Sequence, residues 1–206
     1  MKRIFLLILS VSSIIAACAQ IDAGLHNTRF IYGGYTFADH YRVALSHSLF
    51  SEKFGFQQIG LSAEYFGDFG SLGYEAKAYC ATAWNGDYRQ AGGVVGVNFT
   101  PLNVLHLIGR INPHYDSGYK YKTCFSLGAS VDLNSSIDVH ASYTTIPDYR
   151  KSEKRVHAGF GLRSGRLTVI PEVSIPVAGE QKYKNLRVLV SLNYCFGNGH
   201  SRVIWP

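Results

Sequence analysis

The chain has 206 residues, a formal net charge of +6, 47% hydrophobic and 14% aromatic residues, and 21 glycines against one methionine. This length suits one domain after an export signal, and the aromatic and glycine load favours strands over helices. No stretch beyond the N-terminus approaches the ~18 consecutive apolar residues of a membrane helix, so a membrane crossing would require a closed sheet.

Met1-Lys2-Arg3 and the apolar run from Ile4 to Ala17 have the form of a signal peptide, predicted to occupy residues 1–19. Two processing sites overlap. Ala17-Cys18-Ala19 before Gln20 has the small-x-small pattern of an ordinary cleavage site, whereas Ile15-Ala16-Ala17-Cys18 resembles a lipobox that would leave an acylated Cys18 as the first mature residue. An acyl tether suits a soluble domain better than a barrel already spanning the membrane.

From residue 20 onward the dominant signal is period-two alternation, the mark of strands with unlike faces. Gln20 to Leu25, with Ile21, Ala23 and Leu25 on one side, is a candidate first strand, and Phe30 to Phe37 a second. Tyr41, Val43 and Leu45 then oppose Arg42, Ala44 and Ser46; Ile59, Leu61 and Ala63 oppose Gly60, Ser62 and Glu64. Tyr74, Ala76 and Ala78 oppose Glu75, Lys77 and Tyr79. Val95, Val97 and Phe99 oppose Gly96 and Asn98; Leu105, Leu107 and Ile111 oppose His106 and Arg110. Leu127, Ala129 and Val131 oppose Gly128, Ser130 and Asp132; Ile137, Val139 and Ala141 oppose Asp138, His140 and Ser142. Val156, Phe160 and Leu162 oppose His157 and Arg163; Leu167, Val169 and Val173 oppose Thr168, Glu172 and Ser174. The final segment, Leu186 to Phe196, places Leu186, Val188, Val190, Leu192, Tyr194 and Phe196 on one wall, with Arg187, Ser191, Asn193 and Cys195 on the other.

The connections form a second pattern. Asp39-His40, Gly67 to Gly70, Thr100 to Asn103, Asn134 to Ser136 and Ser164 to Arg166 are tight and rich in turn formers. Between them lie mostly longer links, at 113–122, 146–154 and 176–184, with shorter ones at 51–53 and 84–87. Short turns facing the periplasm and long loops facing outward are the habit of outer-membrane barrels. The predicted fold is an all-β, transmembrane, antiparallel up-and-down barrel over 20–196, with twelve strands, or ten if the Gly33-Gly34 hairpin does not pair. Residues 197–206 form a tail. Aromatics gather at both strand ends: Phe37, Tyr41, Tyr65, Phe66, Phe69, Phe99, Tyr194 and Phe196 on the periplasmic side, and Trp84, Tyr88, Tyr115, Tyr119, Tyr121 and Tyr143 on the outer side.

Over its whole mature length the chain resembles the small outer-membrane β-barrel proteins of Gram-negative bacteria. Val190 to Phe196 resembles the closing strand such proteins present to the barrel-assembly machinery, although here ten further residues follow. The resemblance implies an outer-membrane location and contacts with outer-membrane lipids, lipopolysaccharide and that machinery.

The polar walls supply the candidate lumen residues: Arg42, Glu64, Glu75, Lys77, His106, Arg110, Asp138, His140, His157, Arg163, Glu172 and Arg187, with Asp132 beside them. Both signs occur, so they can neutralise one another in a plugged core or line a narrow pore or small pocket. The outer links are basic through Lys120, Lys122, Arg150, Lys151, Lys154, Arg155, Lys182 and Lys184, suited to lipopolysaccharide phosphates or to steering an anionic solute. No nucleic-acid recognition motif is present, and neither cofactor nor metal site is expected.

His140-Ala141-Ser142 has the spacing of the His-x-Ser pair of barrel lipid hydrolases, but Tyr143 stands where those enzymes have Asn, and both polar residues fall on the lumen side. Cys80 is expected to face lipid, and Cys124 and Cys195 the lumen, unbridged. The expected function is a non-enzymatic narrow pore or an envelope structural and interaction protein. The alternative is a lipid-anchored soluble β-barrel, tethered at Cys18, that binds a hydrophobic ligand; a lipid-modifying hydrolase is a lesser one. The oligomeric state is left open.

Overall fold

A computed structural model describes residues 20–49, 57–84, 86–118, 120–146, 153–178 and 185–196. The alternating segments form twelve antiparallel strands: β1 (Gln20–His26), β2 (Phe30–Phe37), β3 (Tyr41–Ser48), β4 (Gln58–Phe69), β5 (Leu72–Ala83), β6 (Arg89–Leu102), β7 (Leu105–Asp116), β8 (Lys120–Asn134), β9 (Ile137–Ile146), β10 (Glu153–Ser164), β11 (Leu167–Ala178) and β12 (Arg187–Cys195). Each strand pairs with its chain neighbours. β1 closes the barrel on β12, from Asp22 opposite Cys195 to Leu25 opposite Leu192.

Twelve strands rather than ten are present because the glycine-containing first hairpin does pair, in register from Gln20 opposite Thr36 to His26 opposite Phe30. The even count brings the start of β1 and the end of β12 to one rim. The tight turns after β2, β4, β6, β8 and β10 share that rim, among them those at Gly70 and Gly165, whose φ of 59° and 56° suits residues without a Cβ. Residues 1–19, expected as a signal segment and including Cys18, and residues 197–206 lie outside the described residues.

The walls sort by chemistry. Outward positions carry bulky apolar residues, with Leu61 51%, Val95 63% and Leu127 60% exposed, while Glu64, His140 and Glu172 point inward at 5%, 5% and 2%. A soluble barrel would need the opposite arrangement, with its large apolar groups packed inside. That observation overturns the reading of a soluble, ligand-filled barrel. Polar inside and apolar outside is the pattern of a barrel solvated by lipid.

Two expectations about the connections are corrected. The link expected at 113–122 shrinks to a tight turn, because β7 continues to Asp116 and β8 begins at Lys120, with Pro113 in register opposite Thr123. Pro113 and the turn formers after it suggested a loop, yet the alternation runs through them and turns His114 and Asp116 inward, 8% and 2% exposed. Similarly β11 runs on to Ala178, beyond the expected start of its link.

The lower aromatic belt is a chain of ring contacts. Phe37 meets Tyr41 at 5.5 Å between centroids, Tyr41 meets Tyr65 at 5.0 Å, and Tyr65 meets Tyr74 at 5.9 Å. Phe66 does not belong to it: one residue on from outward Tyr65, it turns into the lumen and borders both interior cavities. At the other rim Trp84 and Tyr121 are each 66% exposed, and Tyr115 is 46% exposed.

Candidate functional site

The interior is organised by ion pairs laid across the strands. On one side, Arg42 of β3 donates from Nε and Nη2 to Asp22 of β1 at 3.0 and 2.8 Å, and from Nη1 to Glu64 of β4 at 3.2 Å. Lys77 of β5 completes the row at 2.8 Å from Glu64. Register explains the row, since Arg42 lies directly opposite Glu64, and Glu64 directly opposite Lys77. The Arg42 guanidinium also sits 5.5 Å from the centre of the Tyr32 ring. Further round, Glu75 of β5 pairs with Arg110 of β7.

Across the barrel, Arg163 of β10 donates to Asp138 of β9 at 2.5 Å and lies 3.8 Å from Asp132. His140 sits between two carboxylates, Nδ1 at 3.4 Å from Asp138 and Nε2 at 3.3 Å from Glu172. His106 completes this wall, Nε2 at 2.9 Å from Asp132 and Nδ1 at 3.0 Å from the Thr100 hydroxyl.

Several pairs join residues two strands apart, and each passes over a glycine on the strand between. Gly96 lies in register with both Glu75 and Arg110, and Gly159 with both His140 and Glu172. Gly92 stands in the same relation to Tyr79 and His114, whose side chains meet at 2.9 Å, and Gly24 to Tyr32 and Asn193, which also hydrogen-bond. A Cβ on Gly96 would lie 2.8 Å from Cγ of Glu75, and one on Gly159 2.8 Å from Nε2 of His140. Gly92 and Gly96 are required by the close approach of the side chains above them, and Gly24 and Gly159 also by the carbonyl oxygens of Leu192 and Pro171; the turns play no part.

Among the described residues the lumen encloses an outer cavity of about 580 Å³ and an inner one of about 620 Å³. Asp22, Arg42, Phe66, Glu75, Arg110 and Ile170 border both, so the cavities adjoin at the mid-height ion pairs. Their charges differ. The inner chamber is lined by six carboxylates, Asp22, Asp39, Asp68, Glu75, Asp132 and Asp138, against three arginines, whereas the outer has three carboxylates against Arg42, Lys77 and Arg110.

The expected lumen residues Arg42, Glu64, Glu75, Lys77, His106, Arg110, Asp138, His140, Arg163 and Glu172 are thus drawn into the two ion-pair walls. His157 and Arg187 also point inward, nearer the outer rim, both in register with Ser174. Asp22, Tyr32, His114, Asp116 and Asn193 belong to the same lining although sequence reasoning did not single them out. Asp22 and Asn193 were visible as the polar alternates of their strands. His114 and Asp116 were hidden by the supposed loop.

The outer basic group needs correction. Lys120 and Lys122 lie in β8 and Lys154 in β10, outside any long loop; Lys122 takes the inward parity, opposite His114, while Lys120 and Lys154 are exposed. Arg155 is buried completely, its Nε donating to the Ser174 hydroxyl at 2.6 Å and its Nη2 to the carbonyls of Ser174 and Asn185 at 2.8 and 2.9 Å. Arg155 shares the inward parity of His157 in β10, and its guanidinium fork satisfies the carbonyls it meets there. Arg150, Lys151, Lys182 and Lys184 lie outside the described residues.

His140 faces carboxylates on both ring nitrogens, which leaves it poorly placed as a base for Ser142. Cys80 is exposed on the outer wall, and Cys124 and Cys195 are buried within, all three as free thiols. In bilayers, a charged thiol reagent is expected to spare all three until the protein is denatured, which mass spectrometry of the labelled chain reads. Labelling of Cys124 or Cys195 in the folded protein would contradict the tight lining.

No protein-family model and no curated protein match the chain. Solved structures do. It is similar to the KdgM porin in complex with disordered oligogalacturonate, at 8% identity and a TM-score of 0.65, covering 87% of this chain and 99% of that one. The KdgM porin alone gives a TM-score of 0.63 at 8% identity over the same shares. The NanC porin gives 0.53 at 9% identity, covering 86% of this chain and 98% of that one. At such identities the likeness is one of fold: a closed antiparallel barrel of outer-membrane porin type.

Proposed function

We propose that this protein is an integral outer-membrane barrel that acts as a narrow, non-enzymatic pore for small polar solutes, preferring neutral or cationic ones. The observation that carries this is the pair of chambers meeting at the mid-height ion pairs, the inner one ringed by charged side chains, inside an apolar outer wall. Rings of charged side chains set ion preference in such pores. The excess of carboxylates in the inner chamber favours cations there.

The KdgM porin has been solved with oligogalacturonate, a polyanion. In this chain Arg42, Lys77, Arg110 and Arg163 each face a carboxylate, so a polyanion would meet compensated rather than open positive charge. Passage of an extended acidic chain is therefore the less favoured use of this lumen. At the outer rim, exposed Lys120, Lys154 and Arg89 suit the phosphates of lipopolysaccharide.

Single-channel recording in planar bilayers tests the proposal. Small discrete steps are expected, with a reversal potential under a KCl gradient that reports cation preference, reduced in Asp68→Asn and Asp132→Asn. A silent barrel would leave the envelope-structural reading in its place. An anion-selective reversal potential would contradict the role given to the inner chamber.

A further inference from the structure

Among the described residues the barrel wall is not of even height. β1, β2 and β3 contain 7, 8 and 8 residues, below the ~9–11 needed for a tilted strand to cross a bilayer, whereas β4 to β7 contain 12 to 14 and β8 contains 15. With ~3.3 Å of rise per residue and a tilt near 40°, β1 climbs ~18 Å and β5 ~30 Å, against an apolar band of ~25 Å. The shortfall falls at the outer rim. There the β1–β2 turn is tied to the side of β12: the Thr28 amide donates to the Val190 carbonyl at 2.8 Å, and the Val190 amide donates to the Thr28 hydroxyl at 2.8 Å.

Above that tie β12 and the residue leading into it present membrane-type side chains outward, Val188 at 66% and Leu186 at 60% exposure. Below them, beside Val190 and Ser191, the β1–β2 hairpin ends in the polar turn residues Asn27, Thr28 and Arg29. The turn is held firmly in this position: Asn27 and Thr28 have φ of 51° and 59°, a left-handed conformation unfavourable for a β-branched threonine, and the bonds to Val190 and Ser191 hold it. Just inside lies the outer chamber, whose lining at this point is Phe30, His26 and Tyr32, with Ala44 behind. Its volume of about 580 Å³ lies within the ~300–1,000 Å³ range of small-molecule sites.

From the low wall, the apolar shoulder beside it and the aromatic chamber behind it, we infer that the barrel has a lateral notch over the β1–β2 turn, through which an acyl chain of an outer-leaflet lipid enters the outer chamber. The inference rests on the membrane-spanning reading above and adds a side entrance to it. Arg29, exposed at the tip of the turn, is placed to hold the phosphate of the same lipid. The chain packs against Phe30 and Tyr32, above the charged floor formed by Arg42 and Asp22.

Quenching of tryptophan by phospholipids brominated on their acyl chains tests this. In the full chain with Trp84→Phe and Trp205→Phe, single tryptophans are introduced as Phe30→Trp, Tyr32→Trp, Leu127→Trp on the outer wall and Ile108→Trp in the inner chamber. Folding of each is checked by heat-modifiable migration. The notch predicts that Phe30→Trp or Tyr32→Trp is quenched at least half as strongly as Leu127→Trp and several-fold more than Ile108→Trp. Quenching at positions 30 and 32 no greater than at 108, with 127 strongly quenched, would overturn the notch and leave the membrane barrel standing. Absence of quenching at 127 would instead remove the membrane-spanning reading itself.

Discussion

Glu64→Ala is expected to destabilise the barrel by about 3–5 kcal/mol, because it leaves the Arg42 and Lys77 charges in the lumen without the buried carboxylate between them. Glu64 is 5% exposed and lies 3.2 Å from Arg42 and 2.8 Å from Lys77, so water cannot readily replace it. Urea unfolding in lipid vesicles measures the loss, and bilayer recording should show a larger single-channel conductance because the mid-height row is opened. Glu64→Gln, which keeps the shape and one acceptor, should lie between the two. Wild-type stability and conductance in Glu64→Ala would show that this row neither braces nor narrows the pore.

A second large effect is expected on the outside. Val95, 63% exposed near the middle of β6, faces lipid opposite Ala76 and Ile111. Val95→Arg should cost ~2–4 kcal/mol, the depth-dependent cost of a cation near the bilayer midplane. Val177→Arg, close to the outer end of β11, should cost no more than about 1 kcal/mol by the same rule. The contrast between the two matters more than either value. Equal, small effects would mean that these residues face water.

Most of the architecture was legible because a strand solvated differently on its two sides must alternate, and nearly every segment does. Alternation cannot by itself distinguish inside from outside. Here Glu64 and His140 are buried while Leu61 and Val95 are exposed, which resolves it. The lumen charges were legible as polar alternates, but their partners were not, because a pair such as Glu75 and Arg110 depends on register across an intervening strand. The glycines carried more information than they seemed to: Gly96 stood out only as a small residue opposite bulky ones, yet it, Gly92 and Gly159 are each the gap over which a lumen pair closes.

Errors arose where local chemistry masked periodicity. Pro113 and the Asp116 to Gly118 stretch resemble a loop, but the ladder to β8 runs from Asp116 opposite Lys120 down through Pro113 opposite Thr123. Phe66 follows Tyr65 and was grouped with it, although adjacent residues of a strand point in opposite directions. Arg155 was assigned to solvent by its charge, and its burial reflects hydrogen bonds to the carbonyl of Ser174 on the neighbouring strand β11 and to that of Asn185 just before β12, partners 19 and 30 residues away in sequence.

The central claim is that the apolar wall is held in lipid by a closed barrel. Electrophoretic migration of the protein refolded into lipid vesicles, with and without boiling, tests it most directly. The account predicts a compact, faster-migrating unboiled form that converts to the slower, unfolded form on heating, and extraction from membranes only with detergent. A chain that stays dispersed in aqueous buffer without lipid or detergent, and migrates identically before and after boiling, would contradict it.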